Sequence, residues 1–222
     1  MIDLKTIAKT DPIKRHVEKG LEQTENTPME PPAAYPLGSP PADFENLRKP
    51  LQILMEEHQN ALQKTEKFEQ AFLQFKANGY QLDSTINTAL KDFFSFLDNE
   101  LFPHNSKEEK MLFPVLHQKL IETGEHGIGT NPKTAIDVME DDHVKFIQLG
   151  TLTFNLLGLA ARLKDRTSQL FVLDTAYENG RELIELLKLH IYREDHTLFP
   201  LAQRLLSCDE FESIENKMLR YR

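Results

Sequence analysis

Apolar residues recur every three or four positions along four long segments of the chain, beginning near Asp43. Such spacing puts them on one face of a helix, because an α-helix turns once every 3.6 residues. The alternation typical of a half-buried strand never extends over a useful length. The pattern therefore predicts four amphipathic helices, covering about 43–78, 83 or 84 to 122, 133–164 and 168–206.

The breaks between these segments are short and carry helix-ending residues. Gly79 follows the first segment, and the loop TGEHGIGTNP (123–132) separates the second from the third. Pro103 and Pro114 lie inside the second segment and are expected to kink it. Four amphipathic helices joined by short loops favour an all-α, antiparallel up-down four-helix bundle.

Proline divides the chain into parts of different character. Eight of the twelve prolines lie at or before Pro50, so we expect residues 1–42 to form an N-terminal arm or linker, with at most a short helix at 12–24. We expect residues 43–206 to form the bundle. The C-terminal tail, 207–222, is expected to add a short helix.

Charge and cysteine content exclude several classes of protein. The 35 acidic residues outnumber 26 basic ones, giving a net charge of -9 that repels nucleic-acid phosphates. No segment has the ~18 consecutive apolar residues of a membrane span, and the N-terminus shows no signal-peptide pattern. Cys208 is the single cysteine, which excludes a thiolate zinc site and fits a reducing compartment. We therefore expect a cytoplasmic protein without a nucleic-acid or membrane partner.

The second half of the chain repeats the first. The segment HNSKEEKMLFP (104–114) matches HIYREDHTLFP (190–200) at an offset of 86 residues, and LMEEH (54–58) resembles MEDDH (139–143) at an offset of 85. A helical hairpin is thus duplicated, and two such hairpins packed together form a four-helix bundle with a pseudo-two-fold axis.

Histidine and glutamate occupy inward positions of this repeat. His58 and His143 lie on the apolar faces of the first and third helices, while the second and fourth each carry a His-x-x-x-Glu pair on one face. Buried carboxylates without partners cost several kcal/mol, in order of magnitude, and no Lys or Arg shares these inward positions. The predicted metal ligands are therefore His58, His104, Glu108, His143, His190 and Glu194.

Six ligands with two-fold symmetry suit two ions, each held by two histidines and bridged by both glutamates. Mixed imidazole and carboxylate ligands favour iron, with manganese or zinc as alternatives. An oxo or hydroxo bridge would leave one position on each ion for dioxygen, nitric oxide or peroxide.

The other histidines, at positions 16, 117, 126 and 196, are expected at the surface or beside the site. The pairs Glu56-Glu57 and Asp141-Asp142 are expected on solvated faces.

The motifs EEH (56–58), HNSKEEKMLFP, DDH (141–143) and HIYREDHTLFP resemble those of the hemerythrin-like, cation-binding HHE family over residues 43–206. The resemblance implies a non-haem di-iron centre in which the four histidines are terminal ligands and the two glutamates are bridges. Oxygen-carrying hemerythrins have a further histidine where this chain has Ile147. The symmetric set is more similar to bacterial di-iron proteins linked to iron–sulfur repair and nitric oxide stress, which usually carry a further N-terminal domain with cysteine.

These observations leave four functional hypotheses open. The first is a di-iron protein that binds or reacts with dioxygen, nitric oxide or peroxide, or handles iron in a stress response. The second is a non-catalytic carrier or redox-sensing module, and the third is a bundle in which the metal only stabilises the fold. The fourth is a ferritin-like di-iron enzyme, which requires two Glu-x-x-His motifs, whereas this chain has only Glu140 to His143 and carries Met55 at the equivalent place. Whether the protein is an enzyme stays undecided by the sequence.

Overall fold

A computed structural model describes residues 43–127, 130 and 132–221. The described residues contain helices and no strand, which confirms the predicted all-α class. The α-helices are α1 (Lys49–Ala77), α2 (Ser84–Phe96), α3 (Phe102–Lys107), α4 (Phe113–Glu122), α5 (Ala135–Ala160), α6 (Arg166–Arg193), α7 (Phe199–Leu205) and α8 (Cys208–Arg220). The predicted arm and its short helix lie outside the described residues.

Three π-helical turns join some of these helices into longer ones. The turns Leu97–Leu101 and Glu108–Leu112 connect α2, α3 and α4, and the turn Glu194–Leu198 connects α6 and α7. Within the described residues, the helices other than α8 thus form four long ones: the first (α1), the second (84–122), the third (α5) and the fourth (166–205). The first packs against the second and fourth, and the third packs along the fourth.

Most helix ends follow the sequence signals. Asp83 caps the second long helix, Thr134 caps the third with a capping box to Asp137, and Asp165 caps the fourth. The predicted start of the first helix was wrong. A short 3-10 turn covers Phe44–Asn46, and the helix begins only at Lys49, because the ring of Pro50 is tolerated only in the first turn.

The predicted proline kinks take the form of π turns. Each of the three π turns is followed by Phe-Pro, and the amide of that Phe bonds to the carbonyl five residues earlier. Proline has no amide hydrogen and its ring crowds the carbonyl four residues before it, so a wider turn just upstream lets the helix continue. Two of these turns begin at Glu108 and Glu194, the glutamates that the sequence marks as ligands.

Two apolar clusters fill the interior, and the six predicted ligands lie between them. One cluster takes residues that precede His58 and His143 and residues that follow Glu108 and Glu194, such as Leu54, Met139, Leu112 and Leu198. The other takes residues on the opposite sides of the same ligands, such as Phe68, Leu101, Phe146 and Leu187. Helix α8 covers the first cluster with Phe211, Ile214 and Met218, which confirms the short helix predicted in the tail.

None of the helices in the described part of the chain is long and apolar enough to cross a membrane.

Gly180 marks a close contact between the fourth and first long helices. A Cβ atom at this position would lie 2.4 Å from Cε1 of Phe72, whose ring is buried and stacked on Tyr177. Overpacking of this kind costs about 1–3 kcal/mol, and alanine gains about 1 kcal/mol in helix propensity, so we expect Gly180→Ala to lower the free energy of unfolding by about 0–2 kcal/mol. Thermal or urea unfolding measures it.

Gly158 provides a matched control for this substitution. It also lies in a long helix, but an added Cβ would meet nothing within 4 Å. Alanine has the higher helix propensity by about 1 kcal/mol, so Gly158→Ala should stabilise the protein. Equal effects of the two substitutions would contradict the close packing of Phe72 on Gly180.

Candidate metal centre

All six side chains predicted as ligands meet in one buried layer. The two carboxylates are fully buried, and the imidazoles are 1–5% exposed. Their donor atoms form two groups, each within 4.8 Å: His58, His104, Glu108 and Glu194 in one, and Glu108, His143, His190 and Glu194 in the other. Both glutamates belong to both groups, so the arrangement offers two neighbouring positions for cations with two shared carboxylates.

Each imidazole has its Nδ1 atom facing a second carboxylate. The Nδ1 of His58 donates to Asp195 Oδ1 at 2.7 Å. The Nδ1 atoms of His104 and His143 donate to Glu57 and Glu109, each at 2.8 Å. That of His190 lies 3.5 Å from Asp142 Oδ2. A carboxylate at Nδ1 leaves the lone pair of the neutral imidazole on Nε2, which points to the centre.

The surrounding carboxylates obey the same two-fold symmetry as the ligands. Glu57 and Asp142 each precede a ligand histidine, while Glu109 and Asp195 each follow a ligand glutamate. Each carboxylate orients a histidine on a neighbouring long helix. The four contacts together connect all four long helices. Two cations extend the pattern: Lys107 pairs with Glu57, and Arg193 lies 3.4 Å from Asp142.

The Nε2 atoms come together in pairs. Those of His58 and His104 are 3.1 Å apart, and those of His143 and His190 are also 3.1 Å apart. Two lone pairs at this distance repel unless a positive charge lies between or beside them. Nitrogen ligands on one ion, with metal–nitrogen bonds of about 2.0–2.1 Å, have a similar separation. The distance between the two Nε2 atoms in each group thus fits one metal ion bound by both imidazoles.

The carboxylates of Glu108 and Glu194 provide a second test of fit. None of their four oxygens accepts a well-formed hydrogen bond from the part of the chain described by the structure. Glu194 Oε2 lies 3.1 and 3.2 Å from the Nε2 atoms of His58 and His190, and Glu108 lies 3.4 and 3.5 Å from those of His104 and His143. Buried carboxylates surrounded by nitrogen lone pairs require a cation, so the residues present fit a metal.

The electrostatics of the layer favour positive charge. Burial lowers the pKa of His58, but the hydrogen bond to Asp195 and the contact with Glu194 outweigh it, and the pKa rises to about 10. Burial likewise lowers the pKa of His190, while the charge of Glu194 and the contact with Asp142 raise it to about 9. Burial raises the pKa of Glu194, yet His190 and His58 hold it well below its usual value. Protons and metal cations therefore compete for the same imidazoles.

The repeated Leu-Phe-Pro motif also contributes to the centre. The ring of Phe199 stacks on His58 at 5.3 Å, nearly parallel, and that of Phe113 stacks on His143 at 5.6 Å. These phenylalanines follow the π turns that begin at the two ligand glutamates. They close the layer on the side of the first apolar cluster and keep water away from two of the imidazoles.

Sequence reasoning misplaced some of these residues. Glu56 and Asp141 are exposed as expected, but Asp142 is fully buried and Glu57 is only one-third exposed, because both face ligand histidines. The signal that could have found them is their position next to His58 and His143 in both repeats. Arg193 is also buried, against the expectation of no inward cation, but it contacts Asp142 rather than the ligand glutamates.

The remaining histidines stay outside the two groups. His117 donates to or accepts from Thr134 at 2.8 Å near the surface, and His126 is exposed. His196 is half-buried against Tyr192, and burial lowers its pKa. His16 lies outside the described residues. Glu140, the acidic residue of the single Glu-x-x-His motif, is not a member of either group.

Comparison with known proteins places this geometry in a family. The model of the hemerythrin HHE cation-binding domain matches residues 49–202. The chain is 29% identical over 119 residues to the iron-sulfur cluster repair protein YtfE of Enterobacter sp. (strain 638), covering 54% of this chain and 49% of that protein. It is 30% identical over 113 residues to the protein of the same name from Cronobacter sakazakii, covering 51% and 46%.

The chain therefore spans about half the length of these curated relatives. No solved structure matches it. The family match covers the first three long helices, the fourth as far as residue 202, and every side chain of the buried layer. The chain belongs to the hemerythrin HHE cation-binding domain family.

Proposed function

We propose that this protein is a hemerythrin-like di-iron protein in which Glu108 and Glu194 bridge two ions. One ion is held by His58 and His104, and the other by His143 and His190. The single observation that carries the proposal is the pair of four-residue groups that share both glutamates. An isolated metal site needs no shared carboxylates, whereas two adjacent cations use them to offset their mutual repulsion.

The proposed architecture is an antiparallel up-down bundle over residues 43–206, with an N-terminal arm at 1–42 and a tail at 207–222. The composition of the apolar clusters supports the alternation of direction. Residues before the ligands of the first and third long helices share one cluster with residues after the ligands of the second and fourth. Neighbouring helices that run in opposite directions produce this distribution.

Iron is the proposed metal. The donor set is imidazole nitrogen and carboxylate oxygen without thiolate, which suits iron, with manganese or zinc as competitors. Two histidines and two glutamate oxygens would hold each ion and would leave room on it for solvent or a small molecule. When bound, the iron supplies a site for a small molecule and the electrons to react with it.

The protein's own residues prepare this site. Asp195, Glu57, Glu109 and Asp142 fix the orientation of the four imidazoles, so that Nε2 points inward. Phe113 and Phe199 pack on His143 and His58 and exclude water. Glu108 and Glu194 hold negative charge in a layer with a low dielectric constant, which strengthens cation binding.

The proposed activity is a reaction with a small molecule such as nitric oxide, peroxide or dioxygen, in the context of iron or iron–sulfur stress. The two relatives named for iron-sulfur cluster repair support this context. The symmetric donor set supports it over a ferritin-like enzyme, because Glu140 takes no part in either group. The net charge of -9 supports a function without a nucleic-acid partner.

Spectroscopy of iron-loaded protein tests this proposal. We expect iron loading to give two ions per chain and an oxo-bridged di-iron absorption spectrum. When the iron is first reduced to the diferrous state with dithionite and the excess is removed, anaerobic addition of nitric oxide or peroxide should change the absorption spectrum irreversibly. A change on adding dioxygen that reverses when dioxygen is removed would indicate a carrier or sensor instead. Stable binding of zinc alone, with no iron spectrum under any condition, would contradict the proposal.

A further inference from the structure

The two halves of the buried layer differ in how they are covered. A cavity of about 210 Å³ lies between the first and second long helices, and His104 is one of the residues that line it. Its walls include Ala61, Phe96 and Leu101, and its rim includes Asn60, Glu100 and Lys107. His104 is the most exposed of the four ligand histidines, at 5% against 1–2% for the others.

The repeat shows why space exists on this side. Ala61 lies three residues after His58, and the equivalent position three residues after His143 is Phe146. The Phe146 ring is fully buried, with its centroid 5.0 Å from that of His190 and 6.0 Å from that of His143. A methyl group on one side thus replaces the aromatic ring that fills the other side.

The carboxylates that contact His104 and His190 differ in the same sense. Glu57, at the cavity, has a side chain that is 34% exposed, while its counterpart Asp142 is fully buried. Their cationic partners differ likewise, since the side chain of Lys107 is 19% exposed and that of Arg193 is 10% exposed. The other two carboxylates show the reverse order, since Glu109 beside His143 is 40% exposed and Asp195 beside His58 is 8% exposed. The greater openness on this side of the layer is therefore confined to the surroundings of His104.

We propose that small uncharged molecules reach the centre through this cavity and meet the ion held by His58 and His104 first, with Ala61 as the residue that keeps the route open. The inference rests on the proposed function for the identity of the centre. The volume equals that of about seven water molecules at ~30 Å³ each, which is ample for a diatomic molecule. Glu57 and Glu100 outnumber Lys107 in the lining, which disfavours anions. Asn60 donates to Glu100 at 2.5 Å across the rim and joins the two helices there.

Replacing Ala61 by leucine tests the route in protein that is loaded with iron and reduced anaerobically to the diferrous state with dithionite. We expect Ala61→Leu to slow the association of nitric oxide at least ten-fold in stopped-flow absorption, with two irons per chain retained. Ala71→Leu is the matched control, because Ala71 is a buried alanine on the same helix that does not line this cavity, and its rate should equal that of the wild type. Phe146→Ala should not slow association.

A second measurement needs no metal. Dissolved dioxygen is paramagnetic and broadens the NMR signals of methyl groups that it reaches. In metal-free wild-type protein, the Ala61 methyl should broaden several-fold more than the methyl of Ala202, which is fully buried in the first apolar cluster. This comparison stands even if Ala61→Leu fails to fold, and Ala61→Val offers a smaller obstruction.

The outcomes separate this inference from the proposed function. Unchanged nitric oxide association in a fully loaded Ala61→Leu protein, or equal broadening of the two methyl signals, would overturn the route. Slowing of azide but not of nitric oxide would overturn the preference for uncharged molecules. Wild-type protein that binds no iron would overturn the proposed function, while the NMR comparison would still decide whether the cavity is accessible.

Discussion

Alanine at Glu108 or at Glu194 is expected to lower the bound metal from two ions per chain to one or none. Each glutamate belongs to both four-residue groups, so its removal takes a ligand from both ions at once. The remaining glutamate cannot balance the charge of two cations alone. Elemental analysis of protein loaded with iron and then desalted measures the loss.

The matched control for this experiment is Glu56→Ala. Glu56 is an exposed glutamate two residues before His58 and contributes to neither group. Its replacement should leave both ions in place. Two metal ions per chain in both Glu108→Ala and Glu194→Ala would exclude a bridging role for these glutamates, even if each variant bound its metal more weakly.

Loss of the carboxylate at Asp195 is expected to weaken metal binding by ~10–100-fold. The Nδ1 of His58 donates to Asp195 at 2.7 Å, and this contact fixes the ring and makes Nε2 a better ligand. Asp195→Ala removes both the charge and the hydrogen bond. Asp195→Asn keeps an acceptor oxygen but removes the charge, so its loss of affinity should be smaller. Competition with a chelator measures both affinities.

Asp92→Asn serves as the control, because Asp92 is exposed on the second long helix away from the centre. The same change at this position should leave metal affinity as in the wild type. Asp195→Ala with wild-type affinity would mean that packing alone, including the stacked Phe199, orients His58.

The duplicated motifs made much of the fold predictable. Apolar spacing predicted the four long helices, and the predicted start of the second at Asp83 or Ser84 agrees with the structure, where Asp83 is the N-cap. The fourth helix begins at Arg166, two residues before its predicted start, because Asp165 caps it. The six inward positions follow from helical phase, because residues four apart in an α-helix share a face. This phase information places His104 beside Glu108 without any knowledge of tertiary contacts.

Other features depend on contacts between helices and could not be predicted from phase. Glu57, Glu109 and Asp195 look like surface acids in sequence, and only the neighbouring helix shows which imidazole each one meets. The π turns at Glu108 and Glu194 change the helical phase downstream, so a strict 3.6-residue period misses them. The cavity at Ala61 depends on how side chains of the first and second long helices pack, which helical phase does not determine.

Anomalous diffraction at the iron edge, from crystals of iron-loaded protein, would locate the bound metal. We expect two peaks about 3.5–4 Å apart, one beside His58 and His104 and the other beside His143 and His190, with Glu108 and Glu194 between them. A single peak, or iron bound anywhere other than this buried layer, would contradict the proposed di-iron centre.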